Sequence, residues 1–138
     1  MANNLRILVA DDNDSFRTGF IEYINNQDGL RVIGEAKNGL EAIELTNNLK
    51  PDIIMMDVSM PKMDGITSAG IIKQKNPGTN VVVVTIHEEQ IFKELSEQLP
   101  ADGYICKSSI SSDLPKILKK LRNRTKPNES ENIKILKE

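Results

Sequence analysis

The stretch VVVVT, residues 81–85, decides the fold. Four β-branched residues in succession favour a strand. They show no apolar–polar alternation, so both faces of that strand must be covered, as in parallel sheets sandwiched between helices. Working outward, similar apolar runs stand at Leu5–Ala10, Leu30–Ala36, Asp52–Met56 (entered through Pro51) and Gly103–Cys106. Helix-length segments separate them, each with an apolar stripe at helical spacing. The stripes are Phe16, Phe20, Tyr23 and Ile24; Leu40, Ile43 and Leu49; Ile66, Ala69 and Ile72; Ile91, Leu95 and Leu99; and Leu114, Ile117, Leu118 and Leu121. Strand and helix alternate five times, which predicts a doubly wound α/β architecture, (βα)5, with five parallel strands flanked by five helices. Such sheets bind ligands at the carboxyl ends of their strands.

Bulk properties narrow the function classes. The 138 residues suit one domain, expected over 1–122, and the polar 123–138, NRTKPNESENIKILKE, reads as a tail or a truncated interdomain linker. Net charge is −2, so no bulk basic field attracts nucleic acid or anionic lipid. No apolar run approaches the roughly 20 residues of a membrane span, and MANNLRILVA lacks the features of a signal peptide. A single cysteine, Cys106, excludes an internal disulfide, and a cytoplasmic location is expected. With one histidine, His87, there is little material for a zinc site or a Ser-His-Asp triad.

The chemistry stands where the strands end. Asp11 and Asp12 follow the first strand, Asp57 the third, Thr85 closes the fourth and Lys107 follows the fifth. In a doubly wound sheet these ends share one edge. Three clustered carboxylates repel, and a hard divalent cation relieves the repulsion. Mg²⁺ fits best, since it takes oxygen ligands and keeps positions open for water and phosphate. Asp57 can then act as a nucleophile toward phosphorus, forming an aspartyl phosphate whose three oxygens the metal, Lys107 and Thr85 would hold.

Over about residues 5–122 the chain resembles a response-regulator receiver domain of two-component systems, in which the (βα)5 fold is flavodoxin-like. The resemblance rests on ADD at 10–12, Asp57 at a strand end, MPKMDG at 60–65, Thr85 and GYICK ending in Lys107. VIGEAKNGLEA at 32–42, TIHEE at 85–89 and DGYICK at 102–107 are similar to the NarL/FixJ/LuxR branch. The resemblance implies that Asp57 is the phosphoacceptor. Asp12, Asp57 and the backbone carbonyl of Ser59 would ligate Mg²⁺ directly, and Asp11 through a water. Lys107 would pair with the phosphoryl group, Thr85 would move to bond it, and Tyr104 would swing inward. Ser59, Ile86 and His87 would tune the phosphoryl lifetime. It implies a histidine kinase or phosphotransfer protein as donor, a homodimer on phosphorylation, and no enzyme in the usual sense, since the protein only accepts and then hydrolyses its own phosphoryl group. Partner choice would involve Phe16, Arg17 and Phe20.

Two positions depart from the family pattern. Ile86 is bulky where many receivers are small, and Ser108 follows Lys107 where many have proline. The branch usually carries a C-terminal helix-turn-helix domain, which does not fit into 123–138. The expectation is therefore a transcription regulator whose DNA-binding part lies outside this chain, with a stand-alone receiver or a non-phosphorylated binding module as alternatives.

Blander roles compete at several residues. Asp14 and Asp64 suit helix capping. Tyr104 suits simple packing, the methionines and Cys106 suit a core, and His87 suits an exposed position. DDNDS superficially suggests an EF-hand, but the required Gly and Glu are replaced by Arg17 and Tyr23. A haloacid-dehalogenase-type phosphatase would place its nucleophile after the first strand, and a flavodoxin-type cofactor binder would need a phosphate-cradling loop there.

Overall fold

The computed structural model describes residues 4–58, 65–86 and 101–125, with Arg124 and Thr125 described by backbone only. Five strands, β1 (Leu5–Ala10), β2 (Leu30–Ala36), β3 (Ile53–Asp57), β4 (Asn80–Thr85) and β5 (Gly103–Cys106), form one sheet. The order is β2-β1-β3-β4-β5, and each of the four pairings is parallel. The described helices are α1 (Asp14–Asn25), α2 (Gly39–Leu49), α3 (Gly65–Lys75) and α4 (Ile110–Thr125). The helix expected around Ile91–Leu99 lies outside the described residues, as do Ser59, Asp64, His87 and the 133–136 segment. Helix α4 runs three residues past the expected domain end at Arg122, beyond its buried stripe of Leu114, Leu118 and Leu121.

The unbroken apolar runs find their explanation in two cores, one on each face of the sheet. Along β1, Leu8 and Ala10 point to a core with Ile54, Met56, Val81, Val83, Ala42 of α2 and Ala69 and Ile72 of α3. Ile7 and Val9 point the other way, with Met55, Val82, Val84, Ile105, Phe20 and Ile24 of α1 and the α4 leucines. Alternate residues of each central strand thus serve opposite cores, and both must be apolar. Met55 and Met56 are packing residues in this scheme, and Cys106 is buried as a free thiol.

The stripe of α2 differs from expectation. Gly39, Ala42 and Thr46 are its buried positions, while Leu40 is 52% exposed. Small side chains let the helix lie close to the sheet, and the Thr46 hydroxyl is satisfied internally by donating to the Ala42 carbonyl at 2.7 Å.

Strand order places the candidate site. From β1 the chain first moves outward to β2, then crosses to β3 on the other side of β1. The connections leaving β1 and β3 therefore diverge, opening a crevice at the carboxyl ends of these two strands. Asp11 follows β1 and Asp57 ends β3.

Candidate functional site

The loop from β1 into α1 is built by side chains that hold its backbone. The Asp11 amide donates to the Ala36 carbonyl at 3.0 Å, so the strand pairing carries on to the first acid. The Asp11 carboxylate accepts from the Asn13 amide at 2.8 Å. Asn13 caps α1, its side chain accepting from the Phe16 amide at 2.8 Å. This corrects the expectation for Asp14, which is the first helical residue and pairs with Arg17 at 2.6 Å. A carboxylate in the first turn still suits the positive end of the helix dipole.

Arg17 was expected on the partner-facing surface and instead is buried, at 4% exposure. Its guanidinium donates to the Asp11 carbonyl at 2.8 Å, Asp14 at 2.6 Å and Glu35 of β2 at 2.7 Å. Its fork geometry matches three acceptors from three segments, and it fixes the backbone that presents Asp11 and Asp12. Phe20 is buried as well, which leaves Phe16, half-buried, as the one of the three that reaches the surface.

The crevice brings together Asp11, Asp12 and Asp57. One carboxylate oxygen from each lies within 4.8 Å of the others, with Asp11 1% exposed, Asp57 4% and Asp12 open to solvent. Lys107 opens a 3-10 turn, Lys107–Ser109, that links β5 to α4. Its ammonium stands 2.8 Å from Asp11 Oδ2 and 3.7 Å from Asp57 Oδ2. The turn is held without the usual proline: Asp113 accepts from the Cys106 amide at 3.3 Å and from the Ser109 hydroxyl at 2.7 Å.

Burial pushes the Asp11 carboxyl above its ordinary value, with the Asp57 charge adding to the rise. The Lys107 ammonium and the Asn13 amide oppose it. The Lys107 ammonium meets Asp11 Oδ2 at 2.8 Å, a charge-assisted contact, and no other partner reaches this buried oxygen among the described residues. An all-oxygen cluster of two buried carboxylates and one solvent-facing carboxylate fits a small hard cation that keeps bound water.

Thr85 ends β4, buried and paired in register with Cys106, so it lies beside the β5 end that leads into Lys107. Tyr104 pairs with Val83, is partly buried, and packs on the core shared by α2 and α3. Burial raises its hydroxyl pKa, and the charge of Asp102 adds to that. Ile86 is 66% exposed at the rim. Ser59 and His87, the other tuning candidates, lie outside the described residues. The carboxylates, Thr85 and Lys107 were all expected at this edge. Arg17, Asp113 and Phe16, whose ring centroid lies 4.1 Å from the Lys107 ammonium, were not read as parts of it. Beside Lys107 a groove of about 520 Å³ opens between α1 and the following turn, lined by Phe16, Phe20, Tyr23, Ser108 and Ile110.

Comparison with known proteins identifies the family and the fold. The family model for the response regulator receiver domain matches residues 7–119. The chain is 33% identical over 129 residues to response regulator protein VraR of Staphylococcus saprophyticus, covering 92% of this chain and 61% of that one. It is 38% identical over 105 residues to response regulator GacA of Pseudomonas viridiflava, covering 76% and 49%. The chain thus spans about half to two thirds of these relatives' lengths. A LuxR-family two-component response regulator from Aurantimonas sp. superposes with a TM-score of 0.79 at 30% identity, over 88% of this chain and 87% of that one. The response regulator domain of Thermotoga maritima CheB gives 0.72 at 34% identity, over 88% and 96%.

Proposed function

The chain belongs to the response regulator receiver family, in its LuxR-related branch, and from that premise we propose that it is a Mg²⁺-dependent switch phosphorylated on Asp57. One observation carries the reading: the meeting of Asp11, Asp12, Asp57 and Lys107 at a single sheet edge. A carboxylate oxygen of Asp57 attacks phosphorus in the donor, forming the new O–P bond as the bond to the donor breaks. Acetate leaves from acetyl phosphate, or imidazole from a phosphohistidine, the latter taking up a proton. Water later attacks the same phosphorus and returns the carboxylate and inorganic phosphate. Asp12 and Asp57 would hold the cation, with Asp11 through a water; the Ser59 carbonyl expected as a further ligand lies outside the described residues. A cation held there would offset charge gathering on the transferring group.

Lys107 supplies an ammonium already within 3.7 Å of the acceptor. Thr85 supplies a hydroxyl at the adjacent strand end, and its shift toward the phosphoryl oxygens would let Tyr104 move inward, altering the surface near β5 and α4. Ile86, Ser59 and His87 tune access of water. The groove beside Phe16 is the approach for a histidine kinase or phosphotransfer protein. We assign residues 1–122 to the receiver and the remainder to a tail or linker. In the full protein the switch would control a DNA-binding output, through a phosphorylation-dependent dimer, in the cytoplasm. No helix among the described residues is long and apolar enough to cross a membrane.

Intact mass after incubation with acetyl phosphate, with and without Mg²⁺, tests the reading. Wild type should gain one phosphate only with Mg²⁺, and Asp57→Asn none. A gain in Asp57→Asn equal to wild type would move the acceptor elsewhere. No gain in wild type from acetyl phosphate or a phosphorylated histidine donor would favour a binding module.

A further inference from the structure

We propose that Phe16 is a positioning residue for Lys107: its ring face holds the ammonium so that a divalent cation can enter the acidic cluster without displacing the lysine. The proposal rests on the reading of Asp11, Asp12 and Asp57 as a cation site.

The difficulty it resolves is one of competition. The Lys107 ammonium lies against the same Asp11 and Asp57 carboxylates that a divalent cation would use, at 2.8 and 3.7 Å. Two cations cannot share those oxygens at no cost. An ammonium driven wholly into solvent would be lost to the phosphoryl group that it is needed to meet. The structure offers a third place. The Phe16 ring centroid lies 4.1 Å from the ammonium, inside the roughly 6 Å range over which an aromatic face attracts a cation. A ring face carries negative potential but no lone pair, so it retains the ammonium without taking a carboxylate ligand from the metal.

The ring is itself fixed. The Phe16 amide donates to Asn13 at the cap of α1, and the ring packs on Phe20 with centroids 5.3 Å apart at 34°. Lys107 is equally constrained, with a side chain only 17% exposed on a turn pinned by Asp113. Neither partner needs to be ordered when the cation arrives, and the ammonium has only to lean from carboxylate toward ring.

Isothermal titration with Mg²⁺ tests this on the whole chain. The samples are wild type, Phe16→Leu, Phe16→Tyr, and protein carrying mono- or trifluorinated phenylalanine at position 16. Fluorination drains the ring face while leaving its shape nearly intact, so a packing role would not register it. The Mg²⁺ dissociation constant should rise about 2- to 5-fold in Phe16→Leu and in the trifluorinated protein, rise less in the monofluorinated one, and stay near wild type in Phe16→Tyr. The rate of phosphate gain from acetyl phosphate at fixed, subsaturating Mg²⁺ should fall in the same order. Weakening in Phe16→Leu with none across the fluorinated series would reduce the ring to a space-filler and overturn the proposal alone. Absence of Mg²⁺ binding in wild type would overturn the cation-site reading together with it.

Discussion

The same substitution, Gly to Ala, made at the two glycines of α3 should have opposite effects. At Gly65, the first residue of the helix, an added Cβ would lie 2.3 Å from the Asp57 carbonyl oxygen and 2.4 Å from Val58 Cα. Both are backbone atoms, so no side chain can rotate away. Either the end of β3 or the start of α3 must move by roughly 1 Å, and overpacking of this kind costs about 1–3 kcal/mol. The Gly65 amide also donates to the Val58 carbonyl at 3.3 Å, a bond the shift would break. At Gly70 a Cβ meets nothing within 4 Å. There Ala should stabilise by about 0.5–1 kcal/mol, the usual helix-interior gain over Gly. In thermal unfolding, at about 4 °C per kcal/mol for a domain of this size, Gly65→Ala should lower Tm by roughly 4–12 °C and Gly70→Ala should raise it by a few degrees. The function follows the geometry. Gly65 touches the backbone of Asp57 itself, and displacing a reacting group by about 1 Å is enough for losses near 10²-fold. The initial rate of phosphate gain, read by intact mass with Mg²⁺ and acetyl phosphate, should fall steeply in Gly65→Ala and stay at wild-type level in Gly70→Ala. Wild-type stability and rate in Gly65→Ala would show that the close approach of α3 to Asp57 is not the constraint argued here.

Further outcomes follow from the charges. Burial raises the Asp11 pKa in the folded state, so this group favours folding below its ordinary value near 3.8 and that contribution is lost as pH rises through the folded value. Asp11→Asn should therefore raise Tm at neutral pH in EDTA, with the gain shrinking toward pH 4, while weakening Mg²⁺ affinity; a gain that grows on acidification would reverse the sign argued. Arg17→Met removes the buried donor to the Asp11 carbonyl, and should cost about 1–3 kcal/mol in urea unfolding and loosen Mg²⁺ binding. Unchanged Mg²⁺ affinity would separate Arg17 from the site. Lys107→Ala leaves Asp11 and Asp57 facing one another, so Tm in EDTA should drop, and the rise in Tm on adding Mg²⁺ should exceed that of wild type because the cation then replaces the ammonium. An equal rise in both proteins would mean that Lys107 and Mg²⁺ do not compete.

What the sequence disclosed and what it concealed divide along a physical line. Asp11, Asp12, Asp57, Thr85 and Lys107 were legible because each follows or ends an apolar run, and parallel strands send all their carboxyl ends to one edge. Nothing beyond strand direction was needed to assemble them. The supports around them were not legible, because each is a contact between elements whose rotation about their own axes no single run determines. Arg17 sits in the charged-looking part of α1, and its burial becomes affordable only when Glu35 of the neighbouring strand and the Asp11 carbonyl arrive to accept its bonds. Asn13 and Asp14 are both good caps by composition, and Asp14 is drawn away because Arg17 holds it. The exposure of Leu40 likewise reflects the close seating of α2 through Gly39, Ala42 and Thr46.

That division matters for how the switch is built. In the proposed switch the groups assigned to the chemistry stand at strand ends packed between the two cores, while the groups that set their charge balance reach in from α1 and from the turn before α4. Lys107 is the meeting point of the two sets, touching strand-end acids on one side and the α1 ring on the other. A change of charge at Asp57 is thus felt first by a side chain that already spans β1, β3 and α1. In the proposed switch, redistribution of this one ammonium among its three neighbours would accompany the Thr85 and Tyr104 shifts that alter the surface near β5 and α4. The order of effects should be local to the turn at Lys107–Ser109 before it is global, since α4 is anchored by buried leucines while the turn is held by polar contacts, several of them made by Lys107 itself.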